Sequence, residues 1–295
     1  MDTRIASSER RLLDAGCGAC HPVCLLGLVV GEDVVVRYHR QVGIPAAARR
    51  RMQESMKIVG GLNSFRGEHP FLAGLIITLK TDDTSICSGS LLNHYYVVTA
   101  AQCWYDGESE GKYVQVVLGS VTLFSGGTRQ YAKTVTMHPN YDANKLLNDI
   151  AMLEISYVSF NNNIKSITLP VAYFGSFAGY RAQIIGFGKT STDGALNENA
   201  SLRDVYVTVM NNTQCQAIYG SYVTSANICT SGEGSKGACG GDGGGPLILR
   251  RYLGAAGKDL LVGLVSFTSG SGCEAGYPTG HTRVTSYLNW INRFL

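Results

Sequence analysis

Cys239-Gly240-Gly241-Asp242-Gly243-Gly244-Gly245-Pro246 is the stretch on which the reading of this chain turns. Glycine-rich runs serve as linkers or as phosphate cradles. A Walker-type loop needs Lys-Ser/Thr after its last glycine, and Pro246-Leu247 stands there instead. Leu247-Ile248-Leu249 follows at once, a short apolar run that reads as a buried strand. The stretch therefore belongs to the packed body of the protein.

Outward from it, short apolar segments bounded by turn residues recur along the chain. Leu75–Leu79, Cys87–Leu92, Tyr96–Thr99, Val114–Leu118 and Ala151–Ile155 read as strands in the first half. Arg181–Ile185, Val205–Met210, Pro246–Leu249 and Leu260–Ser266 repeat the pattern in the second. Asn211–Tyr219 reads as a short helix carrying Cys215. Val284, Leu288, Ile291 and Leu295 fall at helical spacing beside Tyr287 and Trp290, a terminal helix with a core-facing stripe. The expected class is all-β.

Composition narrows the partners. The chain has 295 residues, 45% hydrophobic and 16% charged, as a globular protein does. Residues 1–57 contain nine Lys/Arg and six Asp/Glu, whereas residues 58–295 contain sixteen of each. The body is neutral, with no basic patch of interleaved aromatics, so no nucleic-acid partner is expected. No apolar run approaches the ~20 residues that span a bilayer, so no membrane partner is expected either. Six of the nine cysteines lie in the body: Cys87, Cys103, Cys215, Cys229, Cys239 and Cys273. An even count in a glycine-rich β protein implies disulfides and an oxidising compartment, with the pairing left open by sequence alone.

The leader carries its own signals. Val23–Val30 is an apolar run preceded by Arg4, Arg10 and Arg11, the order of a secretory signal peptide, and residues 1–31 are read as that region. Cys17-Gly18-Ala19-Cys20-His21 matches the spacing of c-type haem attachment, and Cys24 extends it towards a zinc cluster. No second axial ligand and no fourth zinc ligand stand at ordinary spacing, so no cofactor and no metal are expected. Two sequons, at Asn199 and Asn211, would be glycosylation sites in a secreted chain.

Four motifs, with the ordered cysteines, carry a family resemblance. They are Lys57-Ile58-Val59-Gly60-Gly61, Thr99-Ala100-Ala101-Gln102-Cys103, Asn148-Asp149-Ile150-Ala151-Met152 and Gly241-Asp242-Gly243-Gly244-Gly245-Pro246. Together they resemble the chymotrypsin-like serine proteases, over residues 58–295. The resemblance implies two six-stranded antiparallel β-barrels with a C-terminal helix, divided near residues 165–175. It also implies the sequential disulfides Cys87–Cys103, Cys215–Cys229 and Cys239–Cys273. Tyr38-His39 through Arg49, with a basic helical stretch on to Lys57, is similar to the pro-segments of digestive chymotrypsin-like proteases of moths and butterflies. Residues 32–57 are accordingly an expected activation propeptide, cleaved after Lys57 so that the new amino group of Ile58 pairs with Asp242.

The catalytic positions of the family map onto Gln102, Asp149 and Gly243, spaced by 47 and 94 residues. Asp149 matches the triad Asp. Gln102 stands at the His position, where a carboxamide cannot take up a proton near neutral pH. Gly243 stands at the Ser position and offers no oxygen for a base to activate. Gly241 and Gly243 match the two backbone donors of the oxyanion hole. Gly237 and Ala238 match the floor of the specificity pocket, where no carboxylate attracts Lys or Arg. Ser266, Phe267 and Thr268 match the strand that pairs with substrate, and Thr268 and Thr279 narrow the pocket mouth against large aromatic side chains. A hydrogen bond from the Gln102 amide to Asp149 is expected in place of the lost imidazole contact.

These departures imply a secreted serine protease homologue, located in the gut lumen, that lacks catalysis and acts by binding. Its expected partners are a protein or peptide ligand, protease inhibitors for which it is a decoy, and an activating trypsin-like protease. The alternative is a weak or unconventional endopeptidase of chymotrypsin/elastase-like preference in protein digestion. An immune cofactor of the clip-domain kind fits less well, because the leader has three cysteines where such domains have six.

Overall fold

The computed structural model describes residues 34–48, 61–171, 175–189, 191–192, 201–252 and 256–295. Cys17, Cys20, Cys24, Lys57, Ile58 and the sequon at Asn199 lie outside the described residues.

In the first half of the body, seven strands pair antiparallel. They are β2 (Leu72–Leu79), β3 (Thr84–Leu91), β4 (Tyr96–Thr99), β5 (Gly111–Leu118), β6 (Thr128–Tyr131), β7 (Thr134–Met137) and β8 (Ala151–Glu154). Their order is β6-β5-β2-β3-β4-β8-β7. Only residues 132–133 separate β6 from β7, so the two edges of this sheet are one interrupted run and the sheet curls into a barrel.

The second half contains β9 (Arg181–Gly186), β10 (Arg203–Met210), β11 (Asn227–Thr230), β12 (Pro246–Tyr252), β13 (Lys258–Phe267) and β14 (Thr279–Arg283). Their order is β10-β11-β14-β13-β12-β9, and an added β10–β9 pairing closes the ring. The two-residue β1 (Leu62–Asn63) pairs with β10 at Asp204 and Arg203. Two antiparallel barrels result, as the motifs imply.

Side-chain alternation explains why so many strands are apolar on both faces. Leu75, Ile77 and Leu79 of β2 share a cluster with Val114, Val116 and Leu118 of β5 and Leu153 of β8. Ala182, Ile184, Val205, Val207, Leu247 and Leu249 fill the second barrel in the same way. The intervening residues Ile86, Val98, Val117 and Met152 point the other way and meet Ile185, Ile248, Leu261 and Leu264 in a core common to both barrels. The cleft described below lies along that seam.

The terminal helix is shorter than its periodicity implies. Val284–Tyr287 form a 3₁₀ turn and α3 covers Leu288–Ile291, with Val284, Leu288 and Ile291 buried. Leu295 lies past the last turn and is 51% exposed, so it does not extend the stripe. α2 (Asn212–Tyr219) begins at Asn211, whose side chain accepts a hydrogen bond from the Thr213 amide. The disulfides are Cys87–Cys103, Cys215–Cys229 and Cys239–Cys273.

The leader segment 34–48 packs on this body. Val34 forms a β-bridge with Ser269, and the Val35 amide donates to the Thr268 carbonyl at 3.2 Å. After Arg37, at φ 62°, the chain enters a wide helical turn, His39–Gly43, and then α1 (Ile44–Ala48). The basic helical stretch expected beyond Arg49, up to Lys57, lies outside the described residues. Gly43 allows its close approach to β3, since a Cβ there would lie 1.8 Å from Ser85 Oγ. Ala46 and Ala47 are buried in the common core.

Candidate functional site

Three elements converge on a buried carboxylate. β4 runs into a 3₁₀ turn, Ala101–Cys103, which carries Gln102 and is pinned to β3 by the Cys87–Cys103 disulfide. Asp149 lies two residues before β8, and Ser266 lies near the end of β13. Asp149 Oδ1 accepts from the Gln102 amide at 2.9 Å, and Oδ2 accepts from Gln102 Nε2 at 2.9 Å and from Ser266 Oγ at 2.6 Å. Burial raises the Asp149 pKa to about 6, and these donors hold it below what burial alone would give. Gln102 Nε2 also donates to the Ser266 carbonyl, so both protons of the carboxamide are committed to this network. The expected Gln102–Asp149 contact is present.

The glycine-rich stretch forms a tight turn stitched into both barrels. The Asp242 amide donates to the Cys239 carbonyl at 3.0 Å, and the Gly245 amide to the Asp242 carbonyl at 2.8 Å. The Gly243 carbonyl accepts from the Ser88 amide of β3, and the Gly244 amide donates to Val265 of β13. Gly244 has φ 73°, and a Cβ there would lie 2.1 Å from Thr99 Oγ1, so only glycine fits. Asp242 is fully buried. Its carboxylate accepts from the Gly188 amide at 2.7 Å and the Cys239 amide at 2.9 Å, and burial raises its pKa to about 6 against those donors.

Gly243 is a different case. Its backbone is not in the left-handed region; what excludes a side chain is Tyr38, whose ring atoms would lie 2.6–2.8 Å from a Cβ. Tyr38 is buried, and its hydroxyl donates to the Ile86 carbonyl of β3 at 2.8 Å. The backbone N–H groups of Gly243 and Gly241 face the phenol oxygen and oppose the burial that drives its pKa upward. The two glycine amides, the Ile86 carbonyl and the gap at Gly243 thus enclose one phenol.

The walls follow from the neighbouring strands. Thr279 of β14 is buried, and its Oγ1 accepts from the Ala238 amide at 3.3 Å. A Cβ on Gly237 would lie 2.9 Å from that same oxygen. Phe267 packs edge-on against Tyr219 at 5.4 Å, and Thr268 engages Val35 of the leader. Around Gly243, Gln102 and Tyr38 the remaining cavity is about 20 Å³. A larger groove of about 800 Å³ continues past Val34, Val36, Tyr222 and Lys189.

Sequence reasoning missed Tyr38 and His39 as residues of the site. Both belong to a leader motif, and no periodicity or spacing ties them to Gly243, which lies some two hundred positions away. A glycine at a position where the backbone does not demand one was the available signal.

Away from the cleft, Glu68, His69 and Asp204 bring ligand-type atoms within 4.8 Å of one another. The Asp204 carboxylate already accepts from Ser64 Oγ at 2.9 Å, from Gln183 Nε2, and meets His69 Nε2 at 3.1 Å. These bonds make the cluster a brace between the barrels, with His69 Nδ1 buried and without a hydrogen-bond partner among the described residues.

Against known proteins, the pattern that defines the family described as Trypsin matches residues 58–291. The chain is 34% identical to a collagenase of Hypoderma lineatum over 240 residues, covering 80% of this chain and 86% of that protein. It is 38% identical to brachyurin of Leptuca pugilator over 238 residues, covering 79% and 96%. A crystal structure of HL collagenase superimposes with a TM-score of 0.72 at 33% identity, over 80% of this chain and 98% of the other.

Proposed function

The chain belongs to the trypsin family of chymotrypsin-like serine proteases, and from that premise we propose that it is a secreted homologue that acts by binding rather than by hydrolysis. The observation that carries this reading is the pair Gln102 and Gly243. In acyl transfer an oxygen attacks the carbonyl while a neighbouring base takes its proton and returns it to the leaving group. At the base position, Gln102 has no titratable group, and its amide protons are directed at Asp149 and Ser266. At the nucleophile position, Gly243 has no side chain.

What remains of the family's machinery is backbone and two carboxylates: the amides of Gly241 and Gly243, the strand Ser266–Thr268, and the side chains of Asp149 and Asp242. Such groups bind peptide without turning it over. The disulfides suit an oxidising compartment, and among the described residues no helix is long and apolar enough to cross a membrane. With neutral Gly237 and Ala238 at the pocket floor and Thr279 across it, the ligand side chain accepted there is small and apolar. The relatives' names are those of proteases, and hydrolysis by this chain would need another nucleophile. Ser266 shares this site, and it is buried with its hydroxyl donating to Asp149.

Labelling with a fluorophosphonate probe tests this reading. No stoichiometric label is expected, before or after cleavage following Lys57. Stoichiometric labelling of any serine would overturn it.

A further inference from the structure

We propose that the cleft is a peptide-binding site whose resident ligand is the chain's own leader, Val34–Ala48, held through Tyr38 and retained after the chain is cut following Lys57. The inference names the ligand of the site read above as a binding site, and it rests on that reading only for the absence of turnover.

The leader runs along the cleft as a peptide ligand would. Val34 and Val35 join Ser269 and Thr268 by β pairing, continuing from the strand that ends at Phe267. Tyr38 then enters the space at Gly243 and donates its hydroxyl proton to the Ile86 carbonyl, with the Gly241 and Gly243 amides facing the phenol oxygen. A phenol oxygen suits this place. It supplies one donor for one carbonyl and turns its lone pairs towards two backbone amides.

Beyond Tyr38 the docking continues on β3. His39 is buried, its amide donates to Asp106 Oδ2 at 2.7 Å, and its Nδ1 lies 2.9 Å from Ser85 Oγ. Arg37 pairs with Glu108 at 3.2 Å. Val42 and Ile44 pack on the first barrel's cluster, and Ala46 and Ala47 enter the common core. Contacts of this extent on both sides of Gly243 do not depend on the covalent link at Lys57.

Gly243 acquires a second meaning. Its missing side chain makes room for the tyrosine ring as well as removing a nucleophile. A ligand from outside, such as a substrate-like loop inhibitor of serine proteases, must displace the leader to reach the two glycine amides.

The test is amide hydrogen exchange on the intact chain, followed by limited cleavage with a lysine-specific endoprotease, for which Lys57 is the only site in residues 1–57. Slow exchange at Val35, residues 38–43, Gly241 and Gly243 is expected, together with co-elution of leader and body after the cut. Tyr38→Ala and Gly243→Ala should each speed leader dissociation by at least about tenfold. Tyr38→Phe, which keeps the ring and loses the hydroxyl, should fall between Tyr38→Ala and the parent, with the body's unfolding midpoint unchanged. Fast exchange across residues 35–43 in the intact chain, or equal leader dissociation from the parent and Tyr38→Ala, would overturn the inference. Turnover of a peptide by a chain that still retains its leader would instead overturn the binding reading.

Discussion

At Gly243 the difference between a glycine demanded by the backbone and one demanded by a neighbour decides what the residue is for. Gly244, at φ 73° and against Thr99, cannot be replaced without strain, whereas Gly243 is blocked only by Tyr38. Gln102 is the complementary case, a neutral group whose amide protons are both taken up by Asp149 and Ser266. Truncating it to alanine leaves the buried Asp149 short of a side-chain donor. Gln102→Ala should lower stability by about 1–3 kcal/mol in denaturant unfolding.

The two buried carboxyls make a pH prediction. Burial lifts Asp149 and Asp242 from 3.8 to about 6, so both bind their protons more tightly in the folded chain than in the unfolded one. Their favourable contribution is complete below about pH 4 and is lost as pH rises through about 6, on the order of 3 kcal/mol for each group. The unfolding free energy of Asp242→Asn should therefore change less between pH 4 and pH 7 than that of the parent, measured in the uncut chain. An equal pH dependence would show that Asp242 is not buried as described.

Elements were legible where apolar side chains alternate or run together, and illegible where polar residues are buried by pairing alone. β2, β5, β10 and β13 follow from their Val, Leu and Ile content. β6 and β7, Thr128–Tyr131 and Thr134–Met137, have largely exposed or half-buried side chains and no apolar signal. β14 is buried yet reads Thr-Gly-His-Thr-Arg, and its His281 is kept neutral by burial, with a pKa of about 3, beside Thr230. The motif positions Gln102, Asp149, Asp242 and Gly243 were legible because each lies in a short stretch that resembles a family motif. The docked leader was not, because its contacts join residues far apart in sequence. The turn carrying Gly243 is also held by the Cys239–Cys273 bridge, which closes a separation of 34 residues. Replacing both cysteines by serine should cost about 2–4 kcal/mol in thermal or denaturant unfolding and should loosen the leader, read as faster exchange at Val35.

Over the whole molecule, the charge balance changes where the family pattern begins. The excess of cations lies in residues 1–57, the body is neutral, and the family pattern begins at residue 58. The body brings the family's two barrels and disulfides, while the leader fills the cleft with Tyr38 and anchors on β3. On the proposed reading, the protease-like body serves as a receptor for an extended segment bearing a tyrosine. Ligands of the emptied cleft should bind Tyr38→Ala more tightly than the parent, a difference that titration with a substrate-like loop inhibitor would read. The account's central claim is that the scaffold lacks only its chemistry, and peptide-substrate turnover after cleavage at Lys57 tests it most directly. The account predicts no hydrolysis by the parent or by Tyr38→Ala, and hydrolysis by the variant combining Tyr38→Ala, Gln102→His and Gly243→Ser. Turnover by the parent or by Tyr38→Ala alone would contradict it.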